Sequence, residues 1–583
     1  MSGEARATPW PLRAWSLDHK TIGLQFLGAS LAMLLCGGLL AMAVRWQLAW
    51  PWTGMPIVGR ALFGDTGGAP SPEGYTALFT MHGTIMIFFV VIPLLTGAFG
   101  NYLIPLMIGA RDMAFPRLNA FSFWIMVPGI ACALASFAVE GGAASSGWTA
   151  YPPLSTLLGA APGSGAGQTL WLWALFFSGL SSLSGSINYV VTIATLRAPG
   201  LSMLRLPLTV WGLLVAALLQ CLALPVLTAA TVLQYSDRLL GTGFFSGGGA
   251  WVNGEWIAGA GGTPLLWQHL FWFYSHPAVY VMVVPAMGMV GDILSVHARK
   301  PVFGYKPMVW AMAAITGLGV MVWGHHMFVS GMSPVAGTGF MLSTILIALP
   351  SAVKTFNWIG TVWGGRLRLN AALLWALGFV SMFVVGGLSG IWMAATPVDV
   401  HLHDTYTVVA HFHYIVFGGT LFGVFAALHH WFPKMTGRHL GERLGKLHFA
   451  GTFVLTNAVF LPMHQAGFAG MVRRVADPYA HASLEPLREL NVFITIAALL
   501  LFAWQAFFVA NLFLTLRRPR SAEANPWRAA SLEWEAPSPP PHGNFDRELV
   551  VVRGPYEYGD EAGDDDWLPQ ARPRAAGAKE ARA

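Results

Sequence analysis

Long apolar runs alternate along the chain with short polar joints rich in Gly, Pro, Lys and Arg. A bilayer hydrocarbon core of about 30 Å takes roughly 20 helical residues to cross. Runs of that order fall at 22–46, 78–104, 120–140, 169–195, 207–235, 266–295, 308–328, 337–361, 371–394, 405–431, 447–470 and 491–516. The pattern predicts an all-α polytopic membrane protein with twelve transmembrane helices. The first run is too long for the apolar stretch of a secretory signal and no A-x-A site precedes it, so it is expected to be retained as a helix. Residues 1–520 form this membrane domain. Residues 521–583 are predicted as an extended tail: NPWRAASLEWEAPSPPPHGNF carries a proline run that cannot continue a helix, with too few apolar residues for a core of its own. The last twenty or so residues, through Asp564–Asp566 and an Arg/Ala-rich end, are expected to be disordered.

Charge placement orients the spans. Arg6, Arg13, Lys20, Arg111, Arg117, Arg197, Arg205, Arg299, Lys300, Lys306, Arg366, Arg368, Lys434, Arg438, Arg443 and Lys446 fall on one side. Only Arg45, Arg60, Arg238, Arg473, Arg474 and Arg488 fall on the other. An even span count then puts both termini on the basic, cytoplasmic side, with anionic lipid as the default partner. Composition agrees: 55% apolar and only 10% charged residues, with mean hydropathy +0.56, cannot coat a soluble surface. That excludes a disordered chain, a nucleic-acid-binding domain and an ordinary soluble enzyme. The net charge of +6 is mostly the topological bias. Cys36, Cys132 and Cys221 sit in apolar stretches with no CxxC or CxxCH, which excludes a disulfide framework, covalent haem attachment and a thiolate cluster.

Six histidines lie within or at the ends of spans, where ionisable groups are expensive and mark functional sites: His82, His276, His325, His326, His411 and His413. Neutral imidazole suits Cu, Fe and Zn. Two positions apart on a helix, His411 and His413 point about 200° apart, so they serve different centres on opposite faces. His325 and His326 differ by about 100° and converge on one ion at a helix end, with His276 from another helix completing a three-nitrogen site open to substrate. Gly83 beside His82 leaves room for a flat macrocycle. The partition is one bis-histidine iron, one five-coordinate iron and one tri-histidine copper.

These residues carry a resemblance. FYSHPAVY, WGHHMF, HDTYTVVAHFHY and MHGTIMIFF are similar to the signature segments of subunit I of the haem–copper oxygen reductases, in the A-type, cytochrome c oxidase-like branch. GARDMAFPRLN, GWTAYPPLS, SDRLLGTGFF, ARKPVFGYKPMVWAM, GMVRR and the tail extend the match over almost the whole chain. The resemblance implies a twelve-helix fold and the reduction of O2 to water with electrons from cytochrome c, coupled to proton uptake and pumping. His82 and His413 would hold the low-spin haem, His411 the high-spin haem, and His276, His325 and His326 the copper (CuB). Tyr280, one turn after His276, would be joined covalently to it and supply an electron and a proton.

Proton routes follow from the same resemblance. Lys354 in PSAVKTF sits mid-span, where a lysine costs about 2.5–3.5 kcal/mol; with Ser351 it resembles the family's K-pathway to Tyr280, although Gly291 stands where relatives often have serine. Asp112 with Asn101, Asn119 and Asn188 resembles the D-pathway, with Ala120 where asparagine usually repeats. The larger departure is HPAVY in place of HPEVY: Ala278 cannot carry a proton. Tyr274 and Ser275, a pattern of the A2 subgroup common in caa3-type enzymes, are expected to relay protons with water instead.

On the opposite side Arg473 and Arg474 would clamp haem propionates, joined by Trp148, Tyr151 and Asp399, while His403 and Asp404 resemble a non-redox Mg2+/Mn2+ site completed by subunit II. Arg45 would hydrogen-bond a haem formyl group, favouring two haems of the a type. The expected partners are subunit II with CuA (alone or with a fused cytochrome c), subunit III, small subunits and a larger respiratory assembly, in the bacterial cytoplasmic (inner) membrane. Three readings compete: a nitric oxide reductase-like enzyme, disfavoured by Tyr280 and Lys354; a quinol oxidase, disfavoured by Gly74 and Ala77 where quinone-site histidine and glutamine would stand; and a histidine-bearing transporter or structural haem protein.

Overall fold

The protein is described by a computed structural model covering residues 15–252, 254–559 and 566–573. Its long helices in chain order are α1 (His19–Ala49), α2 (Pro72–Ile108), α3 (Pro116–Ala138), α4 (Ala166–Thr195), α5 (Leu208–Leu239), α6 (Pro264–Ala298), α7 (Tyr305–Gly319), α8 (Pro334–Val362), α9 (Ala371–Ala394), α10 (Tyr406–Thr436), α11 (Glu442–Phe468) and α12 (Ala482–Leu516). Eleven of these are long and apolar enough to cross a membrane. The exception is α7. Its run was expected to span 308–328, but the α-helix stops after 15 residues and the chain turns into a tighter 3-10 segment, Trp323–Met327. Gly317 and Gly319 in its last turn weaken the helix there.

Helix α6 lies deepest and packs against α5, α7, α9 and α10. Its contact with α5 is backbone to backbone. A Cβ on Gly288 would come within 2.3 Å of the Leu208 carbonyl, and one on Gly212 within 2.7 Å of that of Val284. Small residues are what permit such approach between helices that gain little from burying apolar surface in lipid. Two other helices are locally widened. In α2, π-helical turns cover Met86–Val91 and Pro93–Gly100; in α10 one covers Tyr414–Leu421. The first of the α2 turns and the α10 turn begin within four residues of a histidine singled out above, His82 or His413, as π-turns often do at functional sites.

The all-α expectation holds, with two short hairpin-like pairings added outside the helices. Between α5 and α6, β1 (Gly247–Val252) and β2 (Glu255–Gly261) pair antiparallel as a glycine-rich hairpin. The tail, expected to be extended, packs across one face of the bundle, and of the end expected to be disordered only residues 566–573 are described. Leu532, Trp534, Asn544 and Tyr558 are buried, and β3 (Leu549–Val551) pairs with β4 (Ala571–Pro573). The tail has too few apolar residues for its own core, so it borrows one from the helix ends. Asn544 binds His19, Lys20 and the 110–111 carbonyls, Lys434 donates to the Ala524 and Ala536 carbonyls, and Arg299 to those of Trp527 and Arg528. Those anchors all belong to loops and helix ends that the charge pattern assigns to the basic side. Arg6, Arg13, Asp564, Asp565 and residues 574–583 lie outside the described residues.

Candidate active site

The shortened α7 builds the first cluster. Unwinding into a 3-10 segment turns His325 and His326 toward α6, where Pro277 removes one backbone donor just after His276. His276 Nδ1 and His325 Nε2 each lie 3.1 Å from His326 Nε2. These are the separations expected of nitrogens sharing one ion with bonds of about 2.0 Å. The expected triad is brought together, and among the described residues it is the group of three or more ligating side chains close enough to hold a metal. The His326 ring stacks on Trp272, centroids 3.8 Å apart. His325 Nδ1 donates to the Thr344 hydroxyl at 2.9 Å, which itself donates to the Phe340 carbonyl; that chain fixes the tautomer leaving Nε2 free. Tyr280 lies beside His276, ring centroids 4.8 Å apart, while His276 Nε2 is buried without a hydrogen-bond partner among the described residues. A Cβ on Gly319 would come within 2.5 Å of the Tyr280 ring, so the glycine that weakens α7 also admits the tyrosine.

On α10 the two histidines diverge as their spacing requires. His411 donates from Nδ1 to the Gly386 carbonyl of α9 at 2.9 Å, with the Ser389 hydroxyl at 3.1 Å. His413 turns to α2 and faces His82, their rings 6.4 Å apart and within 9° of parallel. Each of that pair bonds a backbone carbonyl through Nδ1: Gly37 for His82 and Val409 for His413, both at 2.8 Å. Sequence alone could not reveal these carbonyl tethers, since any residue supplies one; Thr344 and Ser389 were missed because isolated hydroxyls in apolar helices carry no spacing signal. One expectation is corrected. Gly83 does not face open space for a macrocycle: a Cβ there would sit 3.3 Å from the Trp148 side chain.

The outer polar groups also gather. Arg473 binds Asp404 through Nε at 2.7 Å, and His403 sits between Asp399 (3.4 Å) and Asp404 (3.9 Å). Burial alone would raise the Asp404 pKa, but the guanidiniums of Arg473 and Arg474 outweigh it and hold the group below the ordinary carboxylate value. Arg474 lies under Gly147, whose missing side chain gives its guanidinium room, and burial lowers it to about 10. Trp272 Nε1 donates to the Tyr151 hydroxyl, and Trp148 packs edge-on against Trp272. Burial pushes Tyr151 up to about 12. Arg45 binds Asn491 and Thr495 across to α12 and keeps its Nη1 buried without a partner among the described residues.

Of the inner polar residues, Lys354 is fully buried, its Nζ without a hydrogen-bond partner among the described residues and 4.9 Å from the Trp358 ring centre. Ser351 donates to the Ile347 carbonyl of its own helix. Asn119 is buried with both amide atoms without a partner among the described residues, and the Asn101 amide donates to the Gly97 carbonyl. The Asn188 amide bonds the Phe115 backbone in both directions and holds the loop after Asp112. Beyond Asn119 runs a line of hydroxyls that the sequence reading missed. Ser122 bonds the Asn119 carbonyl, Ser181 that of Ser122, and Ser178 that of Phe88. They border a cavity of about 10 Å3 shared with Thr96 and Tyr189, roughly one water's worth of space. Phe88 stacks at 6.3 Å on Tyr274, beside which Ser275 Oγ is buried without a partner among the described residues.

With this geometry in view, comparison with known proteins is decisive: the family profile "Cytochrome C and Quinol oxidase polypeptide I" matches residues 21–526. The chain belongs to that family. It is 46% identical over 549 residues to "Cytochrome c oxidase subunit 1" of Thermostichus vulcanus, covering 94% of this chain and 92% of the relative. It is 42% identical over 572 residues to "Alternative cytochrome c oxidase subunit 1" of Bradyrhizobium diazoefficiens, covering 98% and 94%. Its fold is similar to a chain of the solved structure "Cryo-EM structure of a heme-copper terminal oxidase dimer provides insights into its catalytic mechanism", with TM-score 0.70, 19% identity and coverage of 86% and 85%. The protein is thus a multi-pass membrane oxidoreductase, the catalytic subunit of a terminal oxidase.

The residues present fit the cofactors of such an enzyme. Two imidazoles sharing one metal through bonds of about 2 Å can hold their ring centres about 6 Å apart; His82 and His413 stand at 6.4 Å and nearly parallel, and would hold a haem iron. The triad around His326 supplies three neutral nitrogens, the donor set that suits copper.

Proposed function

We propose that this chain reduces dioxygen to water with electrons from cytochrome c. The observation that carries the reading is the cluster of His276, His325 and His326 nitrogens flanked by Tyr280. In it His82 and His413 would hold a low-spin haem, His411 a high-spin haem, and the triad CuB; these groups, when bound, supply electron transfer and the site where oxygen is activated. Tyr280 holds a phenolic proton beside the triad, and the unpartnered Nε2 of His276 is compatible with a covalent link to that ring. Lys354 with Ser351 would bring protons to Tyr280. Asp112, Asn101, Asn119, the Ser122–Ser181–Ser178 line, and then Tyr274 and Ser275 would form the second route, replacing the carboxyl that Ala278 lacks.

Arg473, Arg474, Trp148, Tyr151 and Asp399 would surround the haem propionates, and His403 with Asp404 would hold Mg2+ or Mn2+ against subunit II. The free Nη1 of Arg45 is a donor suited to a formyl oxygen, which supports haem a. Cytochrome c is favoured over quinol because Gly74 and Ala77 offer no polar quinone contact. The setting would be a bacterial inner membrane, with CuA on subunit II, subunit III and smaller subunits, and net proton pumping. The test is CO-sensitive oxygen uptake by the purified complex on ascorbate and a cytochrome c mediator, with a pyridine haemochrome spectrum and metal analysis. Uptake with two haems per complex and copper retained after removal of subunit II supports the reading; no uptake by a complex with full cofactor content would overturn it.

A further inference from the structure

Asp292 is buried on α6 at the tail side of the bundle. Its carboxylate accepts from the Leu208 and Thr209 amides, both at 3.1 Å, at the start of α5. It also accepts a very short hydrogen bond from the phenol of Tyr556, a tail residue whose oxygen accepts in turn from the Leu208 amide at 2.7 Å. Capping α5 needs only the two amides. The phenol is an addition, and it brings the tail into contact with a carboxylate inside the helix bundle.

The next residue points further inward. Gly291 packs against the Leu208 side chain, which a Cβ there would meet at 2.7 Å, and beside the Trp358 indole, whose Nε1 would lie 3.7 Å away. Trp358 Nε1 is buried without a partner among the described residues, as is Lys354 Nζ, 4.9 Å from the same ring. Two buried donors without partners among the described residues thus stand one turn apart on α8, the kind of group that buried water commonly satisfies.

We propose that Asp292 and Tyr556 form the proton-uptake gate of the Lys354 route. The tail thereby contributes a residue to proton delivery. The proposal rests on the reading of Lys354 given above. A proton taken up by the Asp292 carboxylate passes inward by water to Lys354, and the carboxylate is recharged across the Tyr556 phenol, so neither group is consumed. The gate lies within this chain and compensates for the hydroxyl that Gly291 lacks.

The test uses the intact detergent-solubilised complex carrying Asp292→Asn, Tyr556→Phe, Lys354→Met, or Asp292→Asn with Lys354→Met. Anaerobic reduction of the high-spin haem is followed by stopped flow, and the protonated-carboxyl band by reduced-minus-oxidised infrared difference. Asp292→Asn should slow reduction about tenfold or more and remove a carboxyl band, while haem content stays unchanged. Tyr556→Phe, which leaves the α5 cap intact, should slow reduction and shift that band, and the double variant should be no slower than Lys354→Met. Reduction at the wild-type rate in Tyr556→Phe, or additive slowing in the double variant, would overturn the gate. If Lys354→Met itself reduces at the wild-type rate, the Lys354 route fails instead. Should Asp292→Asn not assemble, Tyr556→Phe and Asp292→Glu decide: a slowed phenylalanine variant and a rescued glutamate support the gate.

Discussion

The imidazoles of His82 and His413 face each other across 6.4 Å with their planes 9° apart, each anchored by its far nitrogen to a backbone carbonyl. The pair is preorganised from helices α2 and α10, so its geometry does not depend on a single flexible segment.

Removing either partner leaves the other anchored. His413→Ala is therefore expected to assemble with one haem in place of two, losing the low-spin spectrum while His411 still serves the second. Pyridine haemochrome quantification and low-temperature EPR check this. Unchanged low-spin signal would assign the pair a packing role.

Thr344 holds His325 in the tautomer that frees Nε2. Thr344→Val keeps the shape and deletes the acceptor, and copper retention should fall by about 10–100-fold, with both haems retained. Thr344→Ser should restore it. Metal analysis after dialysis against a copper chelator separates these outcomes.

In the proposed second route Tyr274 and Ser275 would take the place of the carboxyl that Ala278 lacks, with the Tyr274 ring stacked on Phe88. The double variant Tyr274→Phe with Ser275→Ala should lower turnover on the order of 100-fold, the scale of a lost proton-transfer group, with haem spectra unchanged. Wild-type turnover and pumping would leave the two as packing against their neighbours.

Glu533 is buried in the tail between Ser531 and Trp431, near Lys434 and Asp292. Burial pushes its pKa from the ordinary 4.5 up to about 7. The folded tail thus binds this proton more tightly than an unfolded one. Docking is firmest below the ordinary value and weakens as pH rises from there to about 7, by up to about tenfold per pH unit. Amide exchange of residues 531–535 at about pH 5 and about pH 7, corrected for intrinsic rates, should show this, and Glu533→Gln should flatten it.

The helices and the six histidines were legible because a bilayer imposes a length and makes a buried imidazole costly. His411 and His413 could even be assigned to opposite faces from spacing alone. What stayed hidden depended on backbone. The halt of α7 after Gly319, the π-turns after His82 and His413, and the carbonyls holding those rings leave no side-chain pattern to read. The tail was misjudged for a related reason: a segment too polar for its own core was discounted, although the helix ends offered it one. The tie between the Asn188 amide and the Phe115 backbone was hidden for the same reason, since any residue at 115 supplies those groups.

The groups that orient the imidazoles are the carbonyls of Gly37, Val409 and Gly386 and the hydroxyls of Ser389 and Thr344, none of which bears a net charge. A scaffold of dipoles in a low-dielectric interior has no counter-ion to give when negative charge arrives, and an uncompensated unit charge there is costly. Charge neutrality must then be restored from outside, so the proton supply sets how fast such a centre can be charged.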